Sequence, residues 1–389
     1  MKGALLAVFR RELHRMLSRR IYVAACIVLP LFSLLFMATI FGNGNMEELP
    51  VGVVDADNSS ASRNIIRMVE ATPALRVAKH YVNEVEARND VRRKNIYGYL
   101  LIPSNFAKKV GNNEAVTLCY YYHNAMLSVG GELRATFAQL LEQTSVSPIV
   151  TEAVGLGEDE STAVSFLMPV AESDFPIYNF NRNYTVYLSQ PFFFIFLQIL
   201  LLLVTIYALG SESKFGTSNE WLLTAKGNIA IAVAGKLLPY TFIYIVLGIL
   251  ANFVFFEWIK IPLPCSLWTM NIVTTLFICA TQALALLLYS LFPVLSLTIS
   301  VASMIGSLGA TLSGVTFPIS FMDSPVRAVS YLFPVRHFME VVQMLLYTGG
   351  SFSDYWMSVV ALLLFLLAPI LLLPRLKKSL ITHRYAAFE

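Results

Sequence analysis

The sequence predicts an α-helical membrane protein with six transmembrane helices and an α/β extracytoplasmic domain inserted between the first and second of them. Three observations carry this. The 389 residues are 56% hydrophobic and only 14% charged, with a mean hydropathy of +0.63, far too apolar for a soluble domain of that length. Apolar runs of about the twenty residues needed to cross about 30 Å of hydrocarbon recur along the chain, yet none falls between Gly42 and Tyr187. Basic residues cluster before the first run and after the last, which puts both termini in the cytoplasm by the positive-inside rule. The net charge of +3 is small and no basic stripe interleaves with stacking aromatics, which argues against a nucleic-acid partner.

Residues 1–20 read as an amphipathic interface helix. Leu5, Leu6, Phe9, Leu13, Met16 and Leu17 fall at helical spacing, while Arg10, Arg11, Arg15, Arg19 and Arg20 lie largely on the other face, suited to an anionic membrane surface. The first transmembrane helix is expected at 21–41. It is longer than the roughly 7–15 residues of a signal-peptide core and no A-x-A-like site follows it. Residues 42–187 read as the extracytoplasmic α/β domain. Strands are expected at Leu49–Val54, Tyr97–Ile102 and Ala115–Tyr122, with helices carrying Ile65, Ile66 and Val69, and again over Ser128–Glu152. Asp55 and Asp57 read as strand-end and turn residues rather than a metal or acid–base pair, since Asp bonds its own backbone there.

Residues 188–374 form the rest of the membrane domain, with spans expected at Leu188–Leu209, Ile229–Phe256, Leu267–Leu291, Val294–Phe317 and Met357–Pro374. A segment at 318–355 is apolar but broken. Ser324 can cap a helix that has Pro325 at its first position, and Pro334 interrupts it again. Pro325–Leu332 would be only about 12 Å long at 1.5 Å per residue, so the segment is expected to re-enter the outer leaflet as two short helices. Residues 375–389 form a basic cytoplasmic tail.

The polar interruption from Gly210 to Pro239 is the centre of the chain. Thr217 and Glu220 have the spacing of a capping box, predicting a short helix from Ser218 that Gly227 ends in a left-handed conformation, with Asn228 capping the next helix. Trp221, Leu222 and Ala225 gather on one turn, and Trp221, Leu222 and Leu223 would offer an apolar anchor to a partner. Lys236 stands near enough to the cytoplasmic end for its ammonium to snorkel to lipid phosphates, a reading preferred to a functional buried charge. Gln198, Asn252, Asn271 and Gln282 are intramembrane polar groups suited to interhelix hydrogen bonds. Gln198, Asn271 and Gln282 are also the candidates for a substrate path.

No catalytic motif is present. Gly210–Thr217 is not a P-loop, because its lysine precedes the second glycine and no strand leads into it, so this chain is not expected to bind ATP that way. There is no H-E-x-x-H, no G-x-S-x-G and no His/Cys cluster, so neither an enzyme nor a metal site is expected. The four cysteines include no C-x-x-C pair, and a single Cys119–Cys265 bridge stays open.

Glu212, Lys214, Gly216-Thr217, Glu220, Leu222-Leu223 and Gly235-Lys236-Leu237 resemble, in order and spacing, the cytoplasmic segment of ABC type-2 exporter permeases, including multidrug- and daunorubicin-resistance-like members. VGVVDADNSSASRNI and YGYLLIPSNFAKKV resemble that family's extracytoplasmic domain, and SGVTFPISFMDSPVRAVSYLFPVRHFMEVVQ its outer-leaflet segment. The resemblance implies the ABC type-2 (type V) exporter fold in a bacterial inner membrane. It also implies export of a hydrophobic or amphipathic substrate, and a coupling segment at 210–228. There Glu212, Lys214, Gly216, Thr217, Glu220, Trp221, Leu222 and Leu223 would meet a separate ATPase subunit that holds the ATP and Mg, this chain needing no cofactor. A second permease subunit, the same or a sister chain, would complete the path. Two departures are Ser211-Glu212-Ser213-Lys214 in place of a more charged run and Ala225-Lys226-Gly227 where many members have Thr-Pro. The competing classes are a non-transporting membrane-anchored receptor or envelope-assembly protein and a secondary transporter. The latter is disfavoured by the lack of an internal repeat or of paired interrupted spans.

Overall fold

The computed structural model describes residues 2–40, 46–112, 114, 116–155, 183–349 and 351–382. Phe41 at the end of the expected first span, stretch 156–182 of the expected extracytoplasmic domain and the tail beyond Thr382 lie outside them. The chain divides into two compact units, Met1–Gly44 with Ile177–Glu389, and Asn45–Pro176.

Among the described residues of the first unit an N-terminal helix, Lys2–Ser18, precedes five helices long and apolar enough to cross a membrane: Arg20–Ile40, Thr185–Lys214, Ile229–Trp258, Leu267–Leu291 and Phe352–Thr382. The helix Leu295–Thr311 is shorter, 17 residues, or about 25 Å against about 30 Å of hydrocarbon. The expected span Val294–Phe317 is cut there because the chain turns through Gly314, at φ +84°. The second span runs on to Lys214, so Glu212 and Lys214 end a membrane helix rather than belonging to a loop. The last span likewise extends to Thr382 and takes Arg375, Lys377 and Lys378 into helix, burying Leu376 and Leu380.

The broken segment forms two short helices, Ser324–Ser330 and Pro334–Gln343, the first starting at Ser324 without a side-chain cap. Pro334 opens the second helix, where a missing N–H costs nothing. That second helix is not a lipid-dipping element. Val335, Phe338, Met339, Val341 and Val342 are buried in the main core, with Phe338 stacked on Phe277 of the fourth span at 4.2 Å and against Phe194 of the second at 5.0 Å.

Among its described residues the second unit carries four strands, β1 (Leu49–Asp55), β2 (Leu75–Tyr81), β3 (Gly98–Ile102) and β4 (Cys119–Tyr122), in the order β2-β1-β3-β4. β1 is parallel to both β2 and β3, and β4 is antiparallel to β3. Val51 and Val53 face Ile65, Ile66 and Val69 of the helix Ser60–Glu70, whereas Val54 faces Tyr81 and Ala87, the latter on the helix Glu84–Arg92. Helices thus cover both faces, as right-handed crossovers running in opposite directions, from β1 to β2 and then from β2 back past β1 to β3, require. Asp55 accepts from the backbone N–H of Asp57 and Asn58, each at 3.0 Å, and from Ser62 Oγ at 2.7 Å, and Asp57 accepts from Ala107 N at 3.0 Å. Both aspartates therefore order the loops after the strand. All four cysteines are free.

Candidate functional site

The N-terminal helix buries Ala4, Val8, Glu12 and Met16, a stripe at i, i+4 spacing, while Leu6 and Leu17 are exposed. It lies directly on the third span at Gly235, where a Cβ would sit 2.8 Å from Val8 Cβ and 3.0 Å from the Leu5 carbonyl. Only glycine permits that approach. One turn further along, Arg11 and Arg15 turn inward instead of facing lipid headgroups as the amphipathic pattern suggests, because acidic partners wait there.

The partner is Glu212, fully buried at the end of the second span. Arg11 holds it in a bidentate pair, Nη1 to Oε1 at 2.8 Å and Nη2 to Oε2 at 3.0 Å, and Arg15 donates to the same Oε1. Lys236 Nζ lies 2.7 Å from Glu212 Oε1 and also donates to Glu12 Oε2, while Tyr240 OH donates to Glu12 Oε1 at 2.7 Å. Lys236 and Glu12 are as buried as Glu212. The lysine therefore does not snorkel. Its ammonium is held in the protein by two carboxylates and by the ring of Trp221, 5.3 Å away. Burial works to lower the pKa of Arg11, but the hydrogen bond and charge of Glu212 outweigh it and hold the guanidinium above its ordinary value.

The turn after Glu212 is fixed by the same carboxylate. Thr217 Oγ1 donates to Glu212 Oε2, so it does not cap its own helix, and the expected Thr217–Glu220 capping box is not formed. The second span ends instead in a Schellman motif with Gly216 at φ +67°, its N–H bonding Ser213 O at 3.1 Å and that of Thr217 bonding Glu212 O at 2.9 Å. The short helix Ser218–Thr224 follows, and the left-handed residue that ends it is Lys226, one position before the expected Gly227, which is also left-handed. Asn228 Oδ1 caps the third span through the N–H groups of Ala230 and Ile231, at 3.0 and 3.3 Å.

The short helix has two faces. Trp221 and Leu222 are buried with Val8, Leu376 and Leu380, and Trp221 Nε1 donates to Ala232 O at 3.2 Å. These two residues anchor the helix to its own protein and are not open to a partner. The outward face carries Asn219, Glu220 and Leu223, the leucine 77% exposed, flanked by Lys214, Phe215 and Lys226. Among the substrate-path candidates, Asn271 accepts from Asn252 at 2.9 Å, and Gln282 bonds Thr241 and the Leu237 carbonyl. Both tie helices together. Gln198 is buried beside Gly309 with neither amide atom partnered within the described residues. Glu12, Arg11, Arg15 and Tyr240 were not singled out for this site by sequence. The available signal was Glu12, the only acidic residue before Glu47.

The sequence profile described as ABC-2 family transporter protein matches residues 20–373. The chain belongs to the ABC-2 transporter family. As a member it is a multi-pass membrane protein and a membrane component of a transport system, and membership implies association with an ATP-binding-cassette component. The match starts at residue 20, so the N-terminal helix that supplies Glu12, Arg11 and Arg15 to this family member's ion cluster lies outside it. No curated protein matches the chain significantly.

Proposed function

We propose that the chain is the permease subunit of an ATP-binding-cassette exporter, moving a hydrophobic or amphipathic molecule outward, and that its separate ATPase docks on the outward face of Ser218–Thr224. The observation carrying this reading is the division of that helix. Trp221 and Leu222 lock one face to the membrane bundle, while Leu223 stands 77% exposed on the other among polar neighbours. A seven-residue helix is too short to be stable alone in water, where about 12–15 residues are marginal. Held from beneath, it offers a preformed ridge. Motion of that ridge reaches Glu212 through Thr217 and thence the N-terminal helix and the third span.

The path of the chain supports six crossings with both ends on the ATPase side. Val8 and Leu376 pack in one apolar cluster with Trp221, and Arg375 Nη2 reaches the Leu291 carbonyl at 3.3 Å, so both described ends meet at the coupling segment. Leu295 touches this end at Gly210, whereas Gly349 lies beside Pro264, between the third and fourth spans. Between Leu295 and Gly349 the chain therefore travels from one end of the bundle to the other, and the short helix Leu295–Thr311 serves as the remaining crossing. That helix exposes Ser296, Ser300, Ser303, Ser307 and Thr311 with Leu297, Met304 and Leu308. A face of small hydroxyl residues suits close packing against a second permease subunit in lipid.

The test is Leu223→Asp. Because Leu223 is exposed, the variant should insert and melt like the wild type. Loss of an apolar hot spot worth about 2 kcal/mol should cut the ATPase co-purifying with it by about thirtyfold. Undiminished ATPase on a normally folded variant would refute the docking assignment.

A further inference from the structure

The transport reading leaves unused a cleft of about 980 Å³ in the unit Asn45–Pro176. We propose that this cleft binds the anionic head of a small amphiphile, with the guanidinium groups of Arg63 and Arg67 as its anchors.

Its position is the first argument. The cleft opens beyond Asp55 at the carboxyl end of β1 and His80, Tyr81 and Val82 at that of β2. The chain runs from β1 out to β2 and then back past β1 to β3, and open α/β sheets bind ligands outside the carboxyl ends of their strands. The volume is at the upper end of the about 300–1,000 Å³ of small-molecule sites.

Charge is the second. Arg63, Arg67 and His80 line the cleft against one acid, Asp55, whose two oxygens are already occupied by Asp57 N, Asn58 N and Ser62 Oγ. Arg63 spends one N–H on the Asn58 carbonyl at 3.0 Å and Arg67 bonds Asn64, and neither has a carboxylate in ion-pair reach among the described residues. Each guanidinium has five N–H donors in a planar fork matched to carboxylate or phosphate oxygens. The two stand at i and i+4 of one helix, where like charges repel, so an anion bridging them relieves a cost the empty cleft carries.

The third is the apolar part of the lining. Ile66, between the two arginines, and Tyr81 form it with Val82, which is 90% exposed. A bare inorganic anion would leave that surface uncovered, whereas an acyl or alkyl body attached to the anion would bury it.

The experiment uses the full-length protein in nanodiscs of zwitterionic phosphatidylcholine, with hexyl phosphate as probe and saturation-transfer difference spectroscopy as readout. Saturable binding is expected, weaker by about tenfold or more in Arg63→Gln/Arg67→Gln and unchanged in Arg76→Gln, an exposed arginine outside the cleft. Inorganic phosphate should bind about tenfold more weakly than hexyl phosphate, and hexyltrimethylammonium should show no saturable binding. Equal hexyl phosphate binding by the wild type and by the double variant with an unchanged melting profile would overturn the site, as would no saturable binding at all. Phosphate binding as tightly as hexyl phosphate would overturn the amphiphile assignment, and saturable binding of the cation would overturn the charge argument.

Discussion

Lys236→Met should leave little folded protein after detergent extraction, and Glu12→Gln on the same chain should restore much of it. Lys236 is fully buried with its ammonium between Glu12 and Glu212. Without it Glu212 keeps Arg11 and Arg15, but among the described residues Glu12 retains only the hydroxyl of Tyr240. Leaving one buried charge uncompensated costs on the order of 3–5 kcal/mol. A glutamine at position 12 carries no charge and can still accept from Tyr240, which is why the second change should rescue the first. Fluorescence-detected size-exclusion after a temperature series reads both. A lysine that snorkelled to lipid would be dispensable, so a wild-type melting profile for Lys236→Met would contradict the buried cluster.

Trp221→Ala should be a folding defect rather than a docking defect. The indole is fully buried, its Nε1 is bonded to the Ala232 carbonyl and its ring faces Lys236. Removing a buried Trp side chain costs about 3–5 kcal/mol through lost contacts and the cavity left behind. The variant should melt earlier and lose ATPase in proportion to its loss of folded protein, in contrast to Leu223→Asp, which keeps its fold. Normal melting of Trp221→Ala with selective loss of ATPase would mean that the indole faces the partner after all.

The contrast between these two neighbours marks how far the sequence could be read. The polarity of a short amphipathic helix is visible in Trp221-Leu222-Leu223, but which face turns to its own bundle depends on Val8, Leu376 and Leu380, supplied from both ends of the chain. Five of the expected spans were legible because composition and length alone define them, whereas the helix expected over Val294–Phe317 ends at Thr311. The strands at Leu49 and Gly98 were legible because both are nearly all apolar and buried. β2 was not, since only Leu75 and Tyr81 at its two ends are buried and Arg76, Lys79 and His80 lie exposed on an edge strand. The ion cluster left no local trace. Arg11 and Glu212 are 201 positions apart and Glu12 and Lys236 are 224 apart, so no spacing rule joins them. Thr217 shows the same limit, since its spacing to Glu220 fits a cap while its hydroxyl is drawn to a carboxylate that packing brings closer.

The exposed face of Ser218–Thr224 is expected to touch an ATPase on the cytoplasmic side. The most direct measurement is a photo-crosslinking residue at position 223 in native membranes, with the same residue at position 253, exposed on the third span, as control. A crosslink from position 223 to an ATP-binding-cassette ATPase is expected, and none from position 253. A folded protein that crosslinks to no ATPase from position 223, or does so from position 253, would contradict it.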